Sequence, residues 1–295
     1  MLDSHMHAWG PDTEAHPWET EPIVEAVDSL PVETEYTADV LLDDLDAAGV
    51  DEAVVVGLPV TDWLDNWYVE KVAREYDRLY GIALLDPFAD DAAAELRRLM
   101  AIDDVVGFRL APVYPRDAMY AVDPSETAAT EWLRDAIDQT AFWEACVETG
   151  ASVNLLAHYS QLDQVQALVE AYPELSYVVD HFGRAGADVP VDDPEFARFA
   201  DLAEAGDVLV KASAIPAISD EPYPHHDVED TLRWLLDTFG REKVAWGSDY
   251  PFISPQTEYE PTLTCLGEMD AVSDGEHRWL TERSFRRHVG IDGGA

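Results

Sequence analysis

Eight short apolar runs, separated by stretches of helical periodicity, constrain this chain more than any other feature. They are Leu2–Trp9, Ala53–Pro59, Tyr80–Pro87, Val105–Pro112, Ala151–His158, Ser176–Gly183, Val208–Ile215 and Val244–Pro251. Each is nearly continuous in Val, Ile, Leu or Ala, and each closes on Pro, Gly or a polar residue. Runs of that kind predict strands buried on both faces, as in a parallel sheet. Helical spacing predicts helices over Val40–Ala48, Trp67–Tyr76, Ala92–Ala101, Thr130–Thr149, Leu162–Ala171, Pro194–Ala205 and Val228–Phe239, with a last one over Gly275–Val289. Eight strands alternating with helices predict an α/β fold of the (β/α)8 TIM-barrel type. An open doubly wound sheet is the competing architecture, but no Gly-rich phosphate loop follows the first strand. Without an internal repeat or a low-complexity linker, residues 1–295 read as one domain.

The polar residues that interrupt these runs lie near their C-terminal ends. They are His5 and His7 on strand 1, Arg109 on strand 4, His158 on strand 5, His181 on strand 6, Lys211 on strand 7 and Asp249 on strand 8. In a barrel those ends converge on one mouth, where active sites form. Side chains two apart in a strand share a face, so His5 and His7 point the same way. Three histidines and an aspartate suit one divalent metal and equally an acid/base cluster without metal. Each reading makes the protein an enzyme, since a buried carboxylate such as Asp249 needs a partner or a task.

Arg109 and Lys211 are cations in costly, buried positions, and binding of an anion or oxyanion is the expected reason for them, ahead of a structural salt bridge to Asp249 or a neighbour. His158 reads either as a pocket-lining, substrate-binding residue or as a packing residue. Asp180, adjacent to His181, is expected to point to the opposite face of its strand as a helix-facing hydrogen-bonder. Asp3, which shares a face with His5, reads either as an orienter of the site or as a structural acceptor. His16, His225, His226, His277 and His288 fall in loops or on the terminal helix and are read as solvated, although His225 and His226 sit on a candidate lid, Ile215–Asp227. The other long connections, Gly10–Asp39 and Pro112–Ala129, also follow strands.

Composition defines the setting. The 61 Asp and Glu against 18 Lys and Arg give a formal net charge of −43, while hydrophobic residues make up 47%. Such a chain is too apolar to be a disordered acidic segment. The acid is spread along the whole length, which points to a cytoplasmic protein of an extreme halophile, its self-repulsion screened by salt. That charge argues against nucleic acid or an anionic membrane as partner and leaves a small-molecule substrate. Self-association into a homo-oligomer stays open. Two cysteines, Cys146 and Cys265, fit a reducing compartment. The start MLDSHMHAWG lacks the pattern of a signal peptide, and no apolar stretch approaches ~18 residues.

Taken in order, DSHMHAW, HPW at His16–Trp18, GFR at Gly107–Arg109, DHFGR at Asp180–Arg184, VKAS at Val210–Ser213 and WGSDYPF at Trp246–Phe252 resemble the amidohydrolase-related (amidohydrolase 2) family. They are most similar to its lactonase branch, which includes 2-pyrone-4,6-dicarboxylate hydrolase and L-fucono- and L-rhamnono-lactonases. The resemblance covers essentially the whole chain. It implies a metal-dependent-hydrolase type of barrel in which His5, His7, His181 and Asp249 match the catalytic constellation and the metal ligands. Arg109 matches a substrate-binding arginine. Tyr250 and Ala214 stand where the family usually has Trp and Gly. A bridging lysine on strand 4 or 5 is absent, so the expectation is one divalent ion, zinc or manganese, or a metal-free site.

The expected reaction is hydrolysis of a small sugar acid or dicarboxylate lactone. Asp249 activates water, His181 or Arg109 steadies the oxyanion, and Arg109, His158 and Lys211 hold substrate. A metal-dependent decarboxylase of an aromatic or dienoic acid is the alternative on the same barrel. A barrel kept only for binding predicts loss of a clustered residue, and none is missing.

Overall fold

The computed structural model describes residues 1–32, 35–61, 64–116 and 130–291. Eight parallel strands form one sheet in sequential order: β1 (Leu2–Met6), β2 (Glu52–Val56), β3 (Leu79–Leu84), β4 (Val105–Leu110), β5 (Ser152–Leu155), β6 (Ser176–Val179), β7 (Asp207–Ser213) and β8 (Val244–Gly247). The ends of the sheet meet just beyond β8. There the Asp249 N–H donates to His5 O at 2.8 Å and the His7 N–H donates to Tyr250 O at 2.9 Å. The fold is a (β/α)8 barrel, as the spacing of apolar runs predicts.

Helices cover the outside and keep the expected positions, for example Ala38–Ala48, Trp67–Glu75, Leu162–Ala171 and Glu229–Phe239. The predicted helix over Thr130–Thr149 breaks into Trp132–Ala136 and Thr140–Thr149. Among the described residues three α-helices escape the periodicity argument, Glu21–Asp28 in the connection after β1, the short Ile215–Ile218 after β7 and Tyr259–Glu268 after β8. The connection read as Pro112–Ala129 lies outside the described residues from 117 onward. No helix among the described residues is long and apolar enough to cross a membrane.

The barrel interior is layered. Its floor is apolar, built from Leu2, Val54, Ile82, Val178, Leu209 and Ala245, with Phe285 and Ile291 of the C-terminal segment packed against them. Full burial of each of the Leu, Val, Ile and Phe side chains contributes about 1.5–3 kcal/mol. Above the floor the inward positions turn polar, with Asn154, Lys211, Asp180, Arg109 and His5 all buried. The Lys211 Nζ lies 5.0 Å from the centre of the Phe285 ring, joining the two layers by a cation–π contact.

Two glycines let the strands close around this layer. A Cβ on Gly247 would stand 2.8 Å from His5 Cβ, and one on Gly107 would stand 2.1 Å from Ser152 Oγ. Neither position accepts a side chain without moving a neighbouring strand.

Two histidines read as solvated are not. His288 is 7% exposed: its Nε2 donates to Tyr177 O at 2.8 Å and its Nδ1 accepts from Lys243 at 3.0 Å. His225 is also buried, with its Nδ1 2.9 Å from Glu221 O. Both come from segments that pack back on the barrel, which local sequence does not reveal.

Candidate active site

His5 and His7 reach the mouth through an irregularity in β1. The β1–β2 register slips between Asp3 and Met6, a bulge that changes which residues face inward. Leu2 therefore lies on the barrel floor, while His5 and His7, three and five residues later, face the mouth. Asp3 fixes the bulge. Its Oδ1 accepts from the backbone N–H of His5 and of Ser248, each at 3.0 Å, and its Oδ2 accepts from Tyr259 Oη at 3.1 Å. The ambiguous Asp3 is thus both acceptor and orienter, tying β1 to the segment that carries Asp249.

The expectation for Asp180 is corrected. It points into the barrel, 0% exposed, with Oδ1 3.3 Å from His5 Nδ1 and 3.2 Å from Lys211 Nζ, and Oδ2 3.3 Å from Arg109 Nε. Strand alternation explains this. Val178 faces the floor, so Asp180 follows it inward. His181 reaches the mouth only because its backbone turns left-handed, φ 52°, and brings it back to the same side. The reading that placed His181 inward by simple alternation inverted the pair.

Lys211 is corrected too. Expected to touch substrate, it is 0% exposed, and its ammonium lies against Asp180 and, at 3.1 Å, His5 Nδ1. Arg109 is 4% exposed and faces Asp180 from the other side. Burial and the adjacent Lys211 hold the His5 imidazolium well below its ordinary pKa, against the pull of Asp180. Burial raises the Asp180 carboxyl, but Lys211, His5 and Arg109 outweigh it, so Asp180 stays ionised.

Three imidazoles converge on one oxygen. Asp249 Oδ1 lies 3.3 Å from His7 Nε2, 3.6 Å from His5 Nε2 and 3.8 Å from His181 Nε2. The opposite ring nitrogens are held from behind: His7 Nδ1 by Val56 O at 2.9 Å, His181 Nδ1 by Ser213 Oγ at 2.9 Å, and His5 Nδ1 by Asp180 and Lys211. Asp249 has φ 65°, a left-handed conformation that costs a non-glycine residue on the order of 1–3 kcal/mol and clusters at functional sites. Burial raises its carboxyl, and positive charge gathered at the His181, His7 and His5 cluster more than reverses that, leaving it below the usual carboxylate range. Burial lowers His181 to about 4, so it is neutral at pH 7.

His5, His7 and Asp249 bring their ligand atoms within 4.8 Å of one another and fit a divalent ion, with His181 Nε2 beside them, 3.8 Å from Asp249 Oδ1. Ligands about 2.1 Å from zinc at tetrahedral angles stand about 3.4 Å apart, close to the spacings above. His7 Nδ1 faces a carbonyl, so it carries the proton and Nε2 presents a lone pair to Asp249 Oδ1. Two acceptors 3.3 Å apart call for a cation or a proton between them. His5 Nε2 is buried without a hydrogen-bond partner, which agrees.

A cavity of about 310 Å³ opens beside this cluster, lined by His181, Asp249, Arg184, Asp188, Ala214 and Asp220, among others. Sequence reasoning did not single out Arg184, although it closes the DHFGR motif. His158 is outside that lining. It caps the turn Tyr159–Gln161, its Nδ1 accepting from the Ser160 N–H at 3.2 Å.

Comparison with known proteins agrees with this geometry. The Amidohydrolase family profile matches residues 2–280. The chain is 27% identical to 4-sulfomuconolactone hydrolase of Hydrogenophaga intermedia over 251 residues, 84% of this chain and 74% of that one. Its fold superimposes with a TM-score of 0.77 on a probable 2-pyrone-4,6-dicarboxylic acid hydrolase from Acinetobacter baumannii, at 21% identity and 98% coverage of each chain. An amidohydrolase from Burkholderia multivorans solved with bound zinc matches at 0.74, with 19% identity and 98% coverage of each. The fold, the converging histidines and aspartate, and the family match agree: this chain belongs to the Amidohydrolase family.

Proposed function

We propose that the protein hydrolyses a small lactone, with Asp249 as the base that activates water. The observation that carries this reading is the convergence of three imidazoles on one oxygen of an ionised aspartate beside an open cavity. The lactone-hydrolase activity named for the Hydrogenophaga relative supports it. Asp249 takes a proton from a water held at the mouth as the water oxygen bonds to the lactone carbonyl carbon. When the Ser213 hydroxyl donates to His181 Nδ1, the proton of that imidazole sits on Nε2 and faces the cavity as a donor to the developing oxyanion. On collapse, the ring C–O bond breaks and the proton on Asp249 passes to the leaving alkoxide, giving a hydroxy acid. His5, His7, His181 and Asp249 would hold one divalent ion, zinc or manganese, which when bound supplies Lewis acidity and a more acidic water.

Arg109 and Lys211 act beneath this chemistry. With Asp180 they fix the ring of His5 and set the charge under the site. The net charge of −43 further suggests a cytoplasmic protein that works in concentrated salt. The test is proton release, followed in a pH-stat at high salt, across a panel of sugar acid and dicarboxylate lactones. Hydrolysis of at least one of them is the expected result. Release of carbon dioxide from aromatic or dienoic acids, with every lactone left intact, would replace this reading with the decarboxylase alternative.

A further inference from the structure

Arg109 and Lys211, the cations that sequence nominates for anion binding, both face Asp180 below the mouth. Arg184 does not. It is partly buried in the cavity wall beside His181 and Asp249, and among the described residues it makes no hydrogen bond and no ion pair. Other partly buried arginines of this acidic chain do find carboxylates, Arg233 with Glu276 and Arg286 with Glu52. A guanidinium withdrawn from solvent without a counter-charge is costly unless a ligand supplies one.

The backbone places this side chain deliberately. His181, Phe182, Gly183 and Arg184 have φ of 52°, 53°, 62° and 56°, four left-handed residues in succession. The turn that swings His181 into the mouth therefore also sets Arg184 in the wall. Apart from Asp249, which serves the reaction, the remaining charged lining residues are Asp188 and Asp220, both exposed, which as carboxylates only accept hydrogen bonds. One unpartnered cation flanked by two acids suits one anionic group, since a second would meet Asp188 or Asp220. Substrate hydroxyls suit those two acceptors.

We propose that Arg184 determines substrate specificity by binding a single carboxylate on a polyhydroxylated lactone, which makes aldarolactones the preferred class. The reaction part of this proposal rests on the lactone-hydrolase reading; the binding part does not. Binding is measured by calorimetry at a fixed high salt concentration. The probes are methyl glycosides of hexuronic acids and of the corresponding hexoses in the gluco, galacto and manno series. Each pair shares its ring hydroxyls and differs in one carboxylate, and none contains a lactone.

The wild type should bind at least one uronate about 10- to 100-fold more tightly than its neutral partner, the range expected for a charge-assisted hydrogen bond. Arg184→Gln should erase that preference, Arg184→Lys should keep part of it, and Asp188→Asn should strengthen uronate binding. Circular dichroism checks that each variant folds. For turnover, Arg184→Gln should raise KM for an aldarolactone by a similar factor while leaving kcat and the matching aldonolactone nearly unchanged. If the uronate preference is present and lost in Arg184→Gln but no lactone is hydrolysed, Arg184 stands as the anion site and the reaction reading falls. Absence of any preference in the wild type, or its survival in both Arg184→Gln and Arg184→Lys unchanged, overturns the proposal.

Discussion

Replacing Asp180 by Asn removes the one negative charge between two buried cations and tests the polar layer directly. At an effective dielectric constant of about 20, a unit pair at the observed 3.2 Å from Lys211 or 3.3 Å from Arg109 attracts by about 5 kcal/mol. Desolvation of the three groups cancels much of this. Removing one partner from a buried pair, however, leaves an uncompensated charge and costs about 3–5 kcal/mol. The guanidinium cannot shed its proton, and the ammonium can do so only against its high intrinsic pKa.

With an unfolding entropy of about 2.1 cal/mol/K per residue, 295 residues give about 0.6 kcal/mol/K, so Asp180→Asn should lower Tm by about 5–8 °C. The double variant Asp180→Asn/Lys211→Met also deletes the buried ammonium that has lost its carboxylate and should recover part of that loss, a coupling that two independent sites would not show. Scanning calorimetry in concentrated potassium chloride measures all four proteins of the cycle. A Tm for Asp180→Asn within about 1 °C of wild type, or strict additivity in the double variant, would refute the argument that this triad is electrostatically coupled.

Other consequences follow from charge and protonation. At a net charge of −43, far-UV circular dichroism should show unfolding as potassium chloride falls well below 1 M, where the screening length grows from about 3 Å toward 30 Å; a stable fold in dilute buffer contradicts this. Burial, together with Lys243, lowers His288 to about 4 from 6.5, against the opposing pull of Asp207 and Tyr177 O. Its neutral form is the folded one, so its contribution is intact above pH 6.5 and is lost as pH falls from 6.5 to about 4. That contribution is about 3 kcal/mol, and denaturant titrations of His288→Gln should show a flatter pH profile across that window. Metal analysis of purified protein should find no more than one divalent ion per chain needed for activity, and two required equivalents would contradict a site without a bridging lysine.

Much of the mouth was legible in the sequence because the candidate residues on strands 1, 6 and 8 lie near the C-terminal ends of their apolar runs. His5, His7, His181 and Asp249 come together as the spacing suggests. What sequence missed depends on local backbone geometry. The left-handed φ of His181 decides that both it and Asp180 face inward, and no pattern of apolar residues encodes that choice. The bulge in β1 likewise resets the face of His5 without changing the apolar run. Arg109 and Lys211 read as ligand-binding cations because their counter-charge, Asp180, was assigned to the wrong side. The helices Glu21–Asp28 and Tyr259–Glu268 were missed because both sit in connections that lead out of the barrel mouth and carry prolines, Pro22 and Pro261. Pro22 in fact stands in the first turn, where a helix tolerates it.

The central claim is that Asp249 is the base for lactone hydrolysis, and Asp249→Asn addresses it most directly. The substitution keeps the size of the side chain and removes its basicity. Steady-state kinetics on the best lactone at high salt should show kcat lower by about 10²–10⁴-fold, with an unchanged circular dichroism spectrum. An Asp249→Asn protein that retains most of the wild-type turnover would contradict the mechanism.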